Sequence, residues 1–511
     1  MTLVEARAVT IGAAELSVDD LLAIAHGAPV RVDEDARRVI EASRAVVDRV
    51  VDGPHLVYGL NTGLGHQRDV ALPRDGLRRI QALVVNAHEG GLGDPLPAVV
   101  VRAAMAVRLN GIARGGSGAS WPVAQAFADL LNAGVHPVVP RTGSVGASDL
   151  MHMAAIGQVL IGRGHAEIGG DILPGAEALD RAGLTAIELE PKDGLTIISA
   201  NGVAIGHAAL LVERAERLAD AADLVIAASL EATGGNPSVL DEAVLRAKPV
   251  PGQLAAGQGI RVFLTGSRLL EPGGPRSVQD PLSFRVAPQV HGAFREFVAL
   301  LRGAVRLELN AMDDNPLVDA ASGRMLSNGN FHPMVLALAL DALRPAAAHV
   351  GLLADRRMNH LWAAAADVFS DEAVMARIID EGGGMARYSA AALVSELRHA
   401  AAPVTLDVGV LDLGVEDHAT NAPVAAAMTD RSLDLLRDVL AVELLMARLS
   451  VELVPPPTAP APAVQAAFAA VDATRAVFGP RPASAALHAA TAQALVAEVL
   501  DAAHAAIPAS S

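Results

Sequence analysis

The chain of 511 residues contains no cysteine. This absence excludes disulfide bonds, thiolate metal ligands and a cysteine nucleophile. Aromatic residues make up only 3% of the chain, so it lacks the stacking platforms of proteins that bind single-stranded nucleic acid. Basic residues are fewer than acidic ones, 40 against 57, and the net charge of −17 opposes binding to a phosphate backbone. We therefore expect no nucleic acid partner.

A targeting or membrane segment is also absent from the sequence pattern. The stretch from Met1 to Val18 carries charged side chains and no continuous apolar core, so it predicts neither a signal peptide nor an anchor. Later apolar runs meet a charge or a helix breaker before they reach membrane length. Apolar residues still make up 52% of the chain, enough for a large core. We expect a compact cytoplasmic protein with no membrane partner.

Apolar periodicity predicts helices in the first part of the chain. Ser17 and Asp20 form a capping box that opens a short helix ending at Gly27. A second helix is predicted from about Asp33 to near Gly53. Glycines accumulate at 58–65 and 111–118, and both segments are predicted to be loops. Neither has the glycine spacing of a P-loop or a dinucleotide fold, so we expect no nucleotide site.

Beyond about residue 205 the pattern changes to long stretches rich in alanine and leucine. Such helices pack side by side as a bundle and project functional side chains from facing helices and their ends. The division expected along the chain is an N-terminal domain at 1–205, a helix bundle at 206–452, and a proline-rich connector with C-terminal helices at 453–511. Long helices are predicted at 206–232, 291–311, 333–362, 390–401 and 422–451.

Polar islands interrupt this apolar chain at four places. Each by itself fits a loop with capped helices. Together and in this order they resemble the ammonia-lyase family of histidine, phenylalanine and tyrosine, over roughly residues 10 to 450. The islands are Tyr58 to Gly63, Gly143 to Leu150, Gln279 to Arg285, and Glu416 to His418; further similar signatures are Asn86 to Leu96, Pro191 to Leu195, Leu309 to Val318, and Asn330 to His332.

The resemblance implies an all-α, long-helix bundle of the aspartase/fumarase-like (ammonia-lyase) superfamily, with an N-terminal loop-rich domain. It also implies a homotetramer with sites shared between chains, and an amino acid or amino-acid-like carboxylate as substrate. Family members need no external cofactor. They remove ammonia with an electrophile made from an Ala-Ser-Gly triplet, in which the Gly nitrogen attacks the Ala carbonyl to give a methylidene-imidazolone ring (MIO).

Candidate catalytic residues follow from the same motifs. Tyr58 matches the family's general base, which must ionise to accept the β-proton although a free phenol titrates near ~10. Glu416 matches a carboxylate near the substrate's amino group. Without the resemblance, Tyr58 would be a packed loop tyrosine and Glu416 a capping or surface acid. The candidates for the electrophile itself are Ala147, Ser148 and Asp149.

Candidate substrate-binding residues come from several segments. Arg285 matches the residue that holds the substrate carboxylate, a task suited to the planar guanidinium. His88 falls where the family reads the substrate's side chain, although a structural histidine on a helix is a real alternative. Asn201 resembles a polar residue that orders the electrophile, but lies two positions further from Lys192 than the family spacing. The remaining candidates are Gln279, Asn310 and Phe331, and no histidine lies at a spacing that predicts a metal site.

The sequence departs from the family at the electrophile. It reads Ala147-Ser148-Asp149-Leu150, with the Gly of Ala-Ser-Gly deleted. Leu282 replaces a second family tyrosine, and Val415 replaces a glutamine before Glu-Asp-His. We interpret the three changes as the mark of a lyase that does not make MIO and acts on a substrate with a better leaving group or a more acidic proton. Two alternatives stay open: an ordinary MIO-dependent histidine or tyrosine ammonia-lyase or aminomutase, and a catalytically silent scaffold.

Overall fold

The structure, a computed structural model, describes residues 7–12, 14–380, 386–406, 408–478 and 484–508. Helices dominate the described chain, which confirms the all-α prediction. In chain order they are α1 (Val18–Ala25), α2 (Glu34–Val51), α3 (Leu77–Ala87), α4 (Ala98–Ala113), α5 (Trp121–Ala133), α6 (Leu150–Leu160), α7 (Gly175–Arg181), α8 (Asp193–Ile198), α9 (Gly202–Thr233), α10 (Glu242–Ala247), α11 (Pro251–Phe263), α12 (Leu282–Arg285), α13 (Ala287–Leu309), α14 (Met334–Ala364), α15 (Glu372–Asp380), α16 (Ala386–Ala400), α17 (Ala422–Leu453), α18 (Pro462–Ala476), α19 (Ser484–Ala494) and α20 (Leu500–Ala505).

The predicted helices are present with small shifts at their ends. Ser17 caps α1, and its side chain accepts a hydrogen bond from the Asp20 backbone N–H at 3.0 Å, as the capping box predicts. The five long helices begin and end within four residues of the predicted bounds, as α9, α13, α14, α16 and α17. Apolar periodicity predicts helix existence well because the buried face is written locally in the sequence.

The predicted loop at 111–118 is partly wrong. Helix α4 continues through Gly111 to Ala113, and all but its first two residues are buried. A glycine inside a helix costs about 1 kcal/mol relative to alanine. Burial of the apolar side chains around Gly111 offsets that cost, so the helix extends past the glycine.

Short strands, which the sequence pattern did not predict, lie between the helices. They are β1 (Val9–Ile11), β2 (Val30–Val32), β3 (Leu92–Pro95), β4 (His136–Pro137), β5 (Pro140–Thr142), β6 (His165–Ile168), β7 (Asp171–Pro174), β8 (Leu317–Asp319) and β9 (Arg324–Leu326). Strands β1 and β2 pair in parallel, and the antiparallel sheets are β3-β5, β4-β6-β7 and β8-β9. At two to four residues each, these strands are too short to show a reliable alternating pattern.

Two compact units are built from non-consecutive segments. The first contains residues 1–211, 301–340 and 404–427, and the second contains 212–300, 341–403 and 428–511. Segments that are far apart in the sequence pack together in the core of the first unit. One such buried cluster consists of Ala204, Ala337 and Ala422. The expected division at 205 and 452 runs along the chain and stays a prediction.

Among the described residues, two helical stretches are long and apolar enough to cross a membrane, judged by length and composition alone. They are Asp193–Thr233, which includes α8 and α9, and α14. Within their most apolar windows, 94% and 67% of the residues are buried inside the protein. Core helices pass the same test, so these stretches are weak evidence for a membrane segment.

Candidate active site

A cavity of about 820 Å³ lies in the first compact unit. Four segments that are distant in sequence meet around it, and each contains one of the predicted motifs or follows it directly. Its lining includes Tyr58, Ala147, Phe331 and Glu416, together with Leu56, Thr62, Gly65, Arg68, Asp69, Asn315, Ser327, Gly329, His332, Val415, Asp417 and His418. The fold thus brings together the predicted base, part of the electrophile turn, the predicted aromatic wall and the predicted carboxylate.

Tyr58 lies on a glycine-rich loop that folds back on itself. The Asn61 side chain accepts a hydrogen bond from Val57 N–H at 2.7 Å, and the Tyr58 hydroxyl accepts a longer one from Gly65 N–H at 3.4 Å. Burial raises the pKa of Tyr58 above its ordinary value; the Gly65 bond works against this, and the carboxylates of Glu416 and Asp412 add to it. The phenol is therefore neutral at neutral pH in the free protein.

Glu416 lies at the base of a tight turn. Its backbone pairs with Leu411, whose N–H donates to the Glu416 carbonyl at 2.8 Å. Burial, and secondly Asp412, raise the pKa of the Glu416 carboxyl, whereas His88 lowers it. His88 is therefore close enough to act on the carboxylate. The Nδ1 of His88 lies 2.7 Å from the Val84 carbonyl oxygen. This contact fits a structural histidine at the end of a helix as well as a histidine that contacts the substrate's side chain.

The turn at Ala147 to Asp149 differs from the family triplet at the residue that would supply the ring nitrogen. The family ring forms when the nitrogen after Ser attacks the Ala carbonyl, and here that nitrogen belongs to Asp149. Its N–H instead donates to the Ala200 carbonyl at 2.8 Å, directly before α6 begins. Ser148 adopts a positive φ of 59°, an uncommon conformation for a residue with a side chain. Asp149 in place of Gly does not match the Ala-Ser-Gly triplet from which the cyclised group forms.

The Asp149 side chain anchors the turn to the start of α9. Its two carboxylate oxygens accept hydrogen bonds from the Ser144 hydroxyl at 2.8 Å and from Ala204 N–H at 2.7 Å. The group is fully buried, and burial raises its pKa despite these bonds. Both the backbone N–H and the side chain of Asp149 therefore have hydrogen-bond partners within the protein.

Asn201 shares a hydrogen-bond acceptor with the electrophile turn. Its side-chain amide donates to the Phe331 carbonyl at 2.9 Å, and Ser148 N–H donates to the same oxygen at 3.3 Å. The Asn201 side-chain oxygen is buried and has no hydrogen-bond partner among the described residues. The structure therefore places Asn201 next to the electrophile turn despite the irregular spacing from Lys192, and its role in ordering the electrophile stays a prediction.

Of the predicted substrate-binding residues, Phe331 lines this cavity, whereas the other five do not: His88, Asn201, Gln279, Arg285 and Asn310. Asn310 uses its amide to bind the Leu16 backbone, at 2.9 Å and 3.0 Å, so its contacts are those of a structural residue. Gln279 and Arg285 belong to the second compact unit, where Gln279 is exposed and Arg285 is half-buried. Arg285 has no side-chain hydrogen bond or ion pair to another described residue, so its guanidinium is free to bind an anion.

Further polar residues of the cavity had no predicted role. His332 Nε2 lies 2.8 Å from His418 Nδ1, and burial, then His418, lower the pKa of His332. Arg68, Asp69 and Asp417 add one guanidinium and two carboxylates. His332 and His418 stand inside the recognised motifs, so the signal was present, but only the fold shows that their rings meet. No cluster of three or more metal-ligating side chains occurs in the described part of the chain.

A buried ion network fixes the backbone behind the site. Arg108 donates two parallel hydrogen bonds to Asp314 at 3.0 Å, and Lys192 Nζ lies 3.7 Å from the same carboxylate. Asp313 reaches the Asn201 backbone N–H at 3.4 Å, and burial raises its pKa to about 6. Loss of one member would leave a buried charge without a partner, which is costly.

Comparison with known proteins places this geometry in a family. The aromatic amino acid lyase family model matches residues 16–473. A histidine ammonia-lyase from Gloeobacter violaceus is 38% identical over 447 residues, which cover 86% of each chain. The chain belongs to the aromatic amino acid lyase family. This confirms the resemblance seen in the motifs and makes the protein a carbon–nitrogen lyase, whose substrate the match leaves open.

Solved structures of several family activities resemble this lyase. Ergothionase from Treponema denticola, an ergothioneine-degrading enzyme, has a TM-score of 0.88 and 26% identity and covers 96% of this chain and 99% of its own. Tyrosine aminomutase from Streptomyces globisporus also has a TM-score of 0.88 and 26% identity, with 99% and 100% covered. The similarity confirms the fold, and since it extends to enzymes with different activities it does not distinguish among their substrates.

Proposed function

We propose that this lyase eliminates an amine from an amino-acid-like carboxylate without forming MIO. The proposal rests on the turn at Ser148 and Asp149, where the glycine of the family triplet is missing. The backbone nitrogen of Asp149, which would have to close the ring, instead donates a hydrogen bond to the Ala200 carbonyl. Without that electrophile, the leaving group must depart unaided. The β-proton goes to Tyr58, its electron pair forms the double bond, and the amine leaves with the electrons of the Cα–N bond.

A quaternary ammonium is the leaving group that this cavity favours. An ordinary α-ammonium can lose its proton to a nearby base and then becomes a poor leaving group, whereas a trimethylammonium keeps its charge and departs as a neutral amine. The cavity lining holds the carboxylates of Asp69, Glu416 and Asp417 against the single guanidinium of Arg68. These carboxylates attract a permanent cation, and the Phe331 ring can contact it.

The state of Tyr58 supports the same substrate class. Burial and the neighbouring carboxylates hold its pKa above the ordinary value, so the phenol is protonated in the free protein. A bound permanent cation adds a positive charge next to the phenol and lowers its pKa. Substrate binding would then generate the base. The likeness to ergothionase is consistent with this class, because ergothioneine is a trimethylammonium betaine of a thiolated histidine.

The specific alternative is an ordinary MIO-dependent histidine ammonia-lyase. Relatives at 38% identity carry that name, including one from Anaeromyxobacter, of which 89% is covered. Intact mass separates the two functions, because MIO formation releases two waters, a loss of roughly 36 daltons. We expect the unmodified mass. A deficit of two waters together with urocanate release from histidine would replace our proposal with the ordinary mechanism.

Substrate assays complete the test. The protein is incubated with histidine, tyrosine, phenylalanine, the trimethyl betaine of histidine, and ergothioneine, with ultraviolet detection of the unsaturated acid and separate assays for ammonia and trimethylamine. We expect trimethylamine from a betaine and little ammonia from the amino acids, with Tyr58→Phe inactive as the control. No turnover of any of them, with normal folding, would favour the catalytically silent scaffold.

A homotetramer with shared sites is part of this proposal. In the second unit, the segment around Arg285 presents Val278, 96% exposed, and Leu282, 62% exposed. Apolar side chains this exposed are typical of a surface that another subunit covers. An active site shared between subunits would also allow Arg285 of one subunit to hold the carboxylate of a substrate bound in the cavity of another subunit. Light scattering after size exclusion should give four chains, and a stable monomer with full activity would contradict it.

A further inference from the structure

A two-point contact joins the Tyr58 loop to the turn that carries Glu416. His66 donates its backbone N–H to Asp412 Oδ2 at 2.9 Å, and its Nδ1 lies 2.6 Å from Asp412 Oδ1. One residue therefore occupies both oxygens of the carboxylate. Neither His66 nor Asp412 lines the cavity, and neither belongs to the predicted site.

The backbone on both sides is shaped to allow this contact. Gly65 has a positive φ of 55°, and a Cβ at this position would collide with the Asp412 carboxylate. Asp412 and Leu413 have positive φ values of 44° and 55°, followed by Gly414 at 92°. A positive φ is uncommon for residues with side chains and costs of order 1 kcal/mol or more, so it persists where surrounding contacts hold it. The bond to His66 is such a contact.

The residues next to this contact are hydrogen-bonded to Tyr58 on one side and paired with the backbone of Glu416 on the other. Gly65, adjacent to His66, donates its N–H to the Tyr58 hydroxyl at 3.4 Å. On the other side, the turn of Asp412 is closed by the backbone pair of Leu411 and Glu416. The charged groups that act on Tyr58 are Glu416, Asp412 and Arg68, and the group facing His66 is Asp412.

We propose that His66 and Asp412 are positioning residues, a latch that holds the Tyr58 loop against the Glu416 turn so that base and carboxylate face the same substrate. This role rests on the proposed function of Tyr58 as the base, but not on the identity of the leaving group. Opening of the latch would admit water to the phenol and increase its distance from Glu416.

The phenol itself provides a readout that needs no substrate. The chain has two tyrosines, Tyr58 and Tyr388. In a Tyr388→Phe background, near-ultraviolet absorbance of the phenolate therefore reports Tyr58 alone. The titration midpoint is compared among this background, His66→Ala and His66→Asn, with His55→Ala as the control for an exposed histidine of the same loop. Asparagine is the conservative variant because its amide nitrogen can take the place of His66 Nδ1.

We expect His66→Ala to lower the Tyr58 midpoint by on the order of half a pH unit or more, about a threefold change in the phenolate ratio. Burial is the largest cause of the raised pKa, so entry of water outweighs loss of the Gly65 bond. His66→Asn should restore the midpoint, and His55→Ala should not change it. In any assay that shows turnover, His66→Ala should lower kcat more than it changes KM.

An unchanged midpoint in folded His66→Ala would overturn the latch. Failure of His66→Asn to restore it, when circular dichroism matches the parent, would do the same. Should His66→Ala fail to fold, Asp412→Glu provides the second measurement, because it keeps the negative charge but displaces the carboxylate from the two-point contact with His66, and it should likewise lower the midpoint. A protein that turns over no substrate yet shows these shifts would support the latch and refute the proposed reaction.

Discussion

The raised pKa of Glu308 gives a quantitative prediction of how the stability of the protein depends on pH. This half-buried residue lies in the last turn of α13, and burial, then the charge of Asp313, raise its pKa to about 7 from 4.5. In the unfolded chain the carboxyl ionises first, so the folded state binds the proton more tightly over this range. Stability must therefore fall as pH rises from about 4.5 to about 7.

The size of this effect follows from the shift. One pKa unit corresponds to about 1.4 kcal/mol, so the full shift is worth about 3 kcal/mol, reduced to about 2 kcal/mol by partial exposure to solvent. Glu308→Gln keeps the shape but cannot ionise. We expect it to be about 2 kcal/mol more stable than the parent at pH 8, with a much smaller difference at pH 5.

Urea denaturation at equal protein concentration and at both pH values measures this difference. Glu188→Gln, at an exposed position of the same compact unit, is the matched control and should change stability little at either pH. A gain for Glu308→Gln that is the same at pH 5 and pH 8 would refute the reasoning, because an effect of ionisation must depend on pH. A loss at pH 8 would show that the carboxylate has a favourable partner.

Three further predictions concern the site and its support. Arg285→Lys should raise KM about tenfold or more, because a point charge cannot form the planar two-point bond to a carboxylate; unchanged kinetics would place carboxylate binding elsewhere. Ser148→Ala should retain turnover of a betaine within about threefold, and a loss of about a thousandfold would indicate that the serine forms the electrophile. Gly146→Ala, at φ 78° and in collision with Thr420, should lower the melting temperature more than Gly134→Ala, at φ 66° in open space; equal losses would show that the collision relaxes.

The electrophile turn shows how far the motifs carry the functional interpretation. The missing glycine after Ser148 is visible in the sequence, and together with Leu282 and Val415 it predicts that MIO does not form. The hydrogen bonds of Asp149 to Ala200 and Ala204 are visible only in the fold. Those partners are over fifty residues away in the chain, so no local pattern could have identified them.

Some side chains in the recognised motifs make contacts that their motifs do not indicate. Asn310 stands in a recognised signature, but its amide is used to bind the Leu16 backbone. The rings of His332 and His418 meet although 86 positions separate them. His66 and Asp412 stand outside the matched motifs, and only the fold places their segments side by side.

The sequence by itself determined the helices, the family and the identity of Tyr58 and Glu416 as candidates. Helix periodicity and motif order are local properties, which each segment carries regardless of its neighbours. Tertiary structure alone decided that Tyr58 is buried beside carboxylates, that the nitrogen of Asp149 is engaged, and that His66 reaches Asp412. Burial and hydrogen-bond partners depend on segments far apart in the chain, and these set the ionisation and geometry on which the chemistry depends.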